Sequence, residues 1–142
     1  MRIADVLRNK GAAVATVDAR ASVAELVAAL AEHNVGAMVV VGSDGIAGIV
    51  SERDVVRHLH DRGADLLGAA VADIMTAEVL TCSPKDSVDS LTVLMTERRI
   101  RHVPVVSGGE LVGIVSIGDV VKSRISQLEE GQDQLTAYIV QG

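Results

Sequence analysis

Residues 48 to 56 read Gly-Ile-Val-Ser-Glu-Arg-Asp-Val-Val, and residues 113 to 121 read Gly-Ile-Val-Ser-Ile-Gly-Asp-Val-Val. The shift of 65 that relates these strings also relates Thr16 to Thr81, Ser22-Val23 to Ser87-Val88, Leu26 to Leu91, Glu32 to Glu97 and Val40-Val41 to Val105-Val106. Self-similarity at one fixed period over most of a chain marks a duplicated structural unit. Ile3 to Leu7 (IADVL) matches Val71 to Met75 (VADIM) at a shift of 68, so the first copy carries three extra residues between Leu7 and Thr16, in the manner of a loop insertion.

Each copy is expected to run helix, short strand, helix, strand, strand, helix. Ser22 with Glu25 has the form of a capping box, and Val23, Leu26, Val27 and Leu30 follow at helical spacing, which predicts one buried face. Ala37 to Val41 and Ile46 to Val50 are apolar runs separated by Gly-Ser-Asp-Gly, a hairpin signal. The second copy repeats this with Val103 to Val106, the turn Ser107-Gly108-Gly109-Glu110, and Leu111 to Val115. The last helix of each copy is expected to begin at Ser51 or Ser116. A unit of about 65 residues rarely fills its own core, so two copies packed face to face, with clefts between them, is the expected solution.

Composition narrows the function. The 142 residues carry 13 basic and 19 acidic side chains, a formal charge of −6, which disfavours a phosphate backbone as partner. No Trp or Phe and one Tyr, Tyr138, leave no aromatic platform for stacking bases. No apolar run approaches the roughly 18 residues needed to cross a bilayer, and the opening MRIADVLRNK has helical periodicity without a secretory stretch, so a cytoplasmic protein with no membrane or nucleic-acid partner is expected. Cys82 has no partner thiol and the four histidines show no zinc spacing, so neither a disulfide nor a metal site is expected.

The repeated Gly-Ile-Val-Ser-x-x-Asp has a chemical logic. The glycine permits close approach of backbone, and the aliphatic pair after it can face a flat ring. The serine falls where strand becomes helix, and free N–H groups there favour an anion. One turn later the aspartate can accept hydrogen bonds from a ribose diol. A serine N-cap followed by an acid three residues on is equally the way a helix start is stabilised with no ligand, a cap contributing about 0.5–2 kcal/mol. The recurrence of the whole pattern at equivalent places favours a binding role.

On these two strings, the RIRHVPVV segment at 99 to 106 and the threonine preceding the first helix of each copy, the chain resembles a stand-alone tandem pair of CBS domains, a Bateman module. The resemblance spans residues 3 to about 125. It implies an α+β fold of two βαββα repeats, each preceded by a short helix, packed sheet to sheet about a pseudo-twofold axis. The expected divisions are residues 1–68, 69–126 and a helical tail at 127–142. It further implies a regulatory module that senses AMP, ADP, ATP or S-adenosylmethionine in the cleft between repeats, with no catalytic residues and no required cofactor. By this analogy the second copy contributes Thr81, Arg101, His102, Val103, Pro104, Ile114, Ser116 and Asp119, with Asp119 on the ribose, Ser116 on the phosphates and the backbone near Val103 on the adenine edge. The first copy contributes Thr16, Ala37, Met38, Ile49, Ser51, Arg53 and Asp54. Gly36-Ala37-Met38-Val39 stands where the second copy has Arg101-His102-Val103-Pro104, so the first lacks the proline and its basic neighbours. The alternative is a ligand-free scaffold that regulates a protein partner.

Other features carry simpler readings. Arg98 and Arg99 suit a helix C-terminus, where cations complement free carbonyls. His58 and His60 are two apart on a helix and do not share a face. Cys82 fits inert packing. Gly42, Gly45 and Gly48 lie in and after a hairpin, outside any phosphate-loop context. Beyond the second copy Val121, Ile125, Leu128, Gln132, Leu135 and Ile139 recur at spacings of four and three, an amphipathic helix expected to weaken at Gly131. That stripe suits either a tail folded back on its own module or a helix pairing with a second copy, and a homodimer is the expected state.

Overall fold

Serine hydroxyls start four of the helices, three of them within the chain and the fourth, Ser116, at the head of the last. Ser22 Oγ accepts from Glu25 N–H at 3.1 Å, Ser51 Oγ from Asp54 N–H at 3.3 Å and Ser87 Oγ from Ser90 N–H at 3.0 Å. In the computed structural model, which describes residues 1–11 and 14–141 (for 136–138, 140 and 141 the backbone alone), these caps sit at the heads of α2 (Val23–His33), α3 (Glu52–Arg62) and α4 (Val88–Arg98). Glu25 gives no return bond, so the box expected at Ser22 is half formed. The remaining α-helices are α1 (Ile3–Lys10) and α5 (Ile117–Gln141), and a 3-10 helix, Gly63–Gly68, follows α3. The three extra residues of the first copy begin as added helix, since α1 runs through Lys10 to a Gly11 cap; positions 12 and 13 lie outside the described residues.

The first copy builds a three-stranded sheet in which β1 (Thr16–Asp18) pairs parallel with β2 (Ala37–Gly42), and β2 pairs antiparallel with β3 (Gly45–Ser51). The second builds only the hairpin of β4 (His102–Ser107) and β5 (Glu110–Ser116). Both hairpins carry a bulge at the same repeat position, between Val40 and Val41 and between Val105 and Val106. The short strand expected near Thr81 is reduced to a bridge between Cys82 and Val105. Pro84 supplies the reason. Its repeat equivalent, Ala19, donates its N–H to Val41 O at 3.0 Å, and proline has no N–H to give. The leading helix expected at Val71 to Met75 likewise shrinks to a 3-10 turn, Val71–Asp73. There the chain must straighten, because Thr76 exchanges both backbone hydrogen bonds with Ile49, at 2.9 and 3.0 Å.

The cores cross the sequence repeats. Val17, Val23, Leu26, Met38, Val40 and Val50 of the first copy pack with Leu66, Val71 and Ile74, which precede the second sheet. Ile3, Val6 and Leu7 pack instead with Val88, Leu91, Met95, Val103, Val105 and Val115. Each leading segment thus completes the core of the other copy. The repeated glycine makes this possible: a Cβ on Gly48 would stand 2.6 Å from Thr76 O, and one on Gly113 2.5 Å from Leu7 Cδ2. Both faces of the central strands are covered, since Ala37, Val39 and Pro104 are buried opposite the core-facing Met38, Val40, Val103 and Val105. That is the burial expected of sheets packed between their own helices and the other repeat. Helix α5 is unbroken through Gly131, contrary to the expected weakening, and its stripe lies open: Val121, Ile125, Leu128, Leu135 and Ile139 are exposed.

Candidate functional site

Both repeated strings form the same local structure. Asp54 Oδ2 accepts from Ser51 N–H at 2.8 Å and from Ser51 Oγ at 3.1 Å, while Asp119 Oδ2 accepts from Ser116 N–H at 2.9 Å and Ser116 Oγ accepts from Asp119 N–H at 3.1 Å. These are reciprocal capping boxes, so serine and aspartate serve the helix start with no ligand present. In each the second carboxylate oxygen stays outside the cap. Of the aliphatic pair, Val50 and Val115 are fully buried, and Ile49 and Ile114 alone remain half-exposed.

A cleft of about 870 Å³ opens between the copies at the first string. Ala37, Ile49, Ser51, Arg53, Asp54 and Arg57 line it from one side, and Thr76, Glu78, Arg99, Arg101 and His102 from the other. Four arginines line this cleft together with three acids, Glu52, Asp54 and Glu78, which leaves its lining net positive in an acidic chain, and the planar guanidinium fork matches phosphate or carboxylate. Arg99 reaches it as the left-handed cap of α4 (φ 54°), a conformation shared with its repeat equivalent Asn34 (φ 52°). Arg99 therefore has both the helix-end position expected of it and a place in the cleft.

At the second string the surroundings differ. Lys10 Nζ donates to Asp119 Oδ2 at 2.6 Å and to Ile114 O at 2.8 Å. The cavity there, lined by Asn9, Lys10, Asp119, Lys122 and Ser126 among others, is about 260 Å³. Burial alone would raise the Asp119 pKa, but the bonds from Lys10 and from Ser116 N–H outweigh it and hold the carboxyl below its usual range. His102 is half-buried between the two places. Burial, then the Lys10 charge, push its imidazole pKa down against the opposing pull of Asp119 and Glu52.

Ala37, Ile49, Ser51, Arg53 and Asp54 thus meet Arg101 and His102 in the larger cleft, and Asp119 faces the smaller one. Thr16, Met38, Thr81, Val103 and Pro104 line neither, while Ile114 and Ser116 stand beside Asp119, the first through its carbonyl on Lys10 Nζ and the second through the capping box. Met38 and Val103 are core residues, 1% and 0% exposed, and Pro104 O already accepts from Cys82 N–H at 3.0 Å. Lys10, Arg57 and Glu78 were not singled out from the sequence. The signal for Lys10 and Glu78 was present, because carrying the Leu7/Met75 match three residues further aligns them. Among the described residues no cluster of three or more His, Cys, Asp or Glu could hold a metal, and no helix is long and apolar enough to cross a membrane.

Comparison with known proteins agrees with this architecture. The CBS domain family pattern matches residues 3–61 and 71–126. The chain is 38% identical over 151 aligned positions to the mitochondrial CBS domain-containing protein CBSX3 of Arabidopsis thaliana, covering 99% of this chain and 72% of that one. A CBS-domain containing protein from Agrobacterium tumefaciens superposes with a TM-score of 0.83 at 43% identity, over 87% of this chain and 92% of that one. The CBS domain pair of protein MJ0100, solved in complex with 5′-methylthioadenosine and S-adenosyl-L-methionine, superposes with a TM-score of 0.76 at 26% identity, over 86% of this chain and 98% of that one. The duplicated strings, the exchanged leading segments and these matches together place the chain in the CBS domain family, as a tandem pair.

Proposed function

We propose that this CBS pair is a regulatory rather than catalytic module, which takes an adenosine compound, AMP, ADP, ATP or S-adenosylmethionine, in the cleft lined by Ser51, Asp54 and the four arginines. The observation that carries the reading is the meeting of Asp54 with Arg53, Arg57, Arg99 and Arg101 across about 870 Å³, a volume within the roughly 300–1,000 Å³ of small-molecule sites. Asp54 Oδ1 accepts from the ribose diol, Ile49 and Ala37 bound the apolar ring, and Arg53 and Arg101 meet the charged end. The adenosine ligands of the MJ0100 pair support the ligand class. The expected setting is the cytoplasm, and the signal passes to a protein partner through a change in shape.

The open apolar stripe of α5 supports a homodimer in which this helix packs against a second copy. Its 25 residues span about 37 Å at 1.5 Å per residue. The capping boxes, complete without ligand, favour a second reading in which the chain is a scaffold and the motifs only stabilise helices. A thermal-shift panel separates the two. A ligand at 100 times its dissociation constant stabilises the native state by about 2.7 kcal/mol, a rise of several degrees. At least one of the four compounds is expected to raise the Tm at millimolar concentration, with Asp54→Ala and Arg101→Ala weakening the response about 10-fold or more. No shift from any of them leaves the scaffold.

A further inference from the structure

The two copies use one equivalent position in opposite ways. The 68-residue register aligns Lys10 with Glu78. Beside the second string, Lys10 Nζ holds both the carboxylate of Asp119 and the carbonyl of Ile114, at 2.6 and 2.8 Å. Beside the first, Thr76 N–H takes the carbonyl of Ile49 at 2.9 Å, and Glu78, an acid that cannot pair with Asp54, lines the open cleft. The cavity beside Asp119 is the smaller, about 260 Å³ against about 870 Å³, and in it Lys10, Asp119 and Lys122 stand where Glu78, Asp54 and Arg57 line the first cleft.

We infer that Lys10 is a built-in occupant of the second cleft, pairing with Asp119 so that the chain keeps one ligand site, in the first cleft, where symmetry would offer two. This rests on the reading of the first cleft as a ligand site. The ammonium comes from a fixed helix: Ile3 is fully buried, Val6 and Leu7 nearly so, and Ile3 N–H donates to Asp86 O at 2.9 Å. A ligand entering the second cleft has to displace a tethered cation, at high effective concentration, from two charge-assisted hydrogen bonds. The first cleft asks nothing comparable of a ligand.

Calorimetric titration of the full chain, Lys10→Ala and Glu78→Lys with AMP, ATP and S-adenosylmethionine in separate runs tests this. The expected result is one equivalent per chain for the parent and two for Lys10→Ala. Glu78→Lys is expected to lose at least ten-fold in affinity, because an ammonium there pairs with Asp54. Two equivalents in the parent, or one in Lys10→Ala, overturn the inference while leaving the first cleft a ligand site. No binding by any variant overturns the reading of the cleft itself. The Lys10 contact is read separately by amine acylation of the ligand-free protein and mass spectrometry. Lys10 is expected to react at least ten-fold more slowly than Lys85 and Lys122, with that protection lost in Asp119→Ala; equal rates in the parent overturn the contact.

Discussion

Lys10 and Asp119 lie 109 positions apart in the chain, yet their charged groups meet at 2.6 Å and tie the last turn of α1 to the first turn of α5. The pair is partly shielded, with side chains 33% and 20% exposed. Its contribution should resemble that of a partly screened, charge-assisted hydrogen bond, about 1 kcal/mol. Lys10→Ala is expected to lower the urea-unfolding free energy by that amount at pH 7. Because Asp119 has its pKa held down in the folded state, the contribution is present above the unfolded carboxyl value of about 4 and is lost as pH falls through the folded one. The gap between parent and variant should therefore close in acid. A gap that persists at the lowest pH where both fold assigns the loss to packing instead.

Gly48 and Gly113 occupy equivalent places but face different neighbours. A Cβ at 48 meets the backbone carbonyl of Thr76 at 2.6 Å, whereas at 113 it meets the methyl ends of Leu7. A carbonyl in a backbone bridge cannot step aside and a leucine rotamer can. Gly48→Ala is expected to cost about 1–3 kcal/mol and Gly113→Ala less. Equal losses in thermal unfolding would show that the exchange of leading segments yields as easily at one end as at the other.

His102 reports on pH. Burial and the Lys10 charge push the imidazole pKa down in the folded chain, while the unfolded chain takes up a proton near pH 6.5. Stability is therefore full above that value and declines as pH falls from 6.5 toward the lower folded pKa. Unfolding midpoints measured from pH 8 to pH 5 are expected to drop for the parent and to flatten for His102→Gln. Parallel curves would remove His102 from the acid response.

Helix α5 presents Leu128 at 66% and Leu135 at 59% exposure on one stripe. If a second copy covers that stripe, replacing both leucines with glutamate places charges in an apolar seam. Sedimentation velocity is expected to show the parent as a dimer and Leu128→Glu/Leu135→Glu as a monomer. A parent that sediments as a monomer, or a variant that remains dimeric, rejects α5 as the seam.

The duplication made the architecture readable, because matched strings fixed the strand positions, the hairpins and the helix starts at Ser51 and Ser116. What escaped depended on contacts distant in sequence. Pro84 reads as an ordinary loop residue until Ala19 is seen donating to Val41, and only then does the missing strand follow. Leu7 and Met75 looked like parts of their own repeats, while packing sends each to the other's glycine. The candidate site was legible as residue types but not as a partition. Serine and aspartate occur in both copies, yet the arginines gather at one, and Lys10 pairs with the aspartate of the other. Met38 and Val103 went to the core because alternate β-strand residues face opposite sides, and theirs face the helices.

The central claim, that the first cleft holds an adenosine ligand, is tested most directly by a crystal structure of the chain grown with S-adenosylmethionine or AMP. The account predicts density for the sugar at Asp54, with the charged end among Arg53, Arg57 and Arg101. A ligand seated beside Asp119 with Lys10 displaced, or a first cleft empty at saturating concentration, would contradict it.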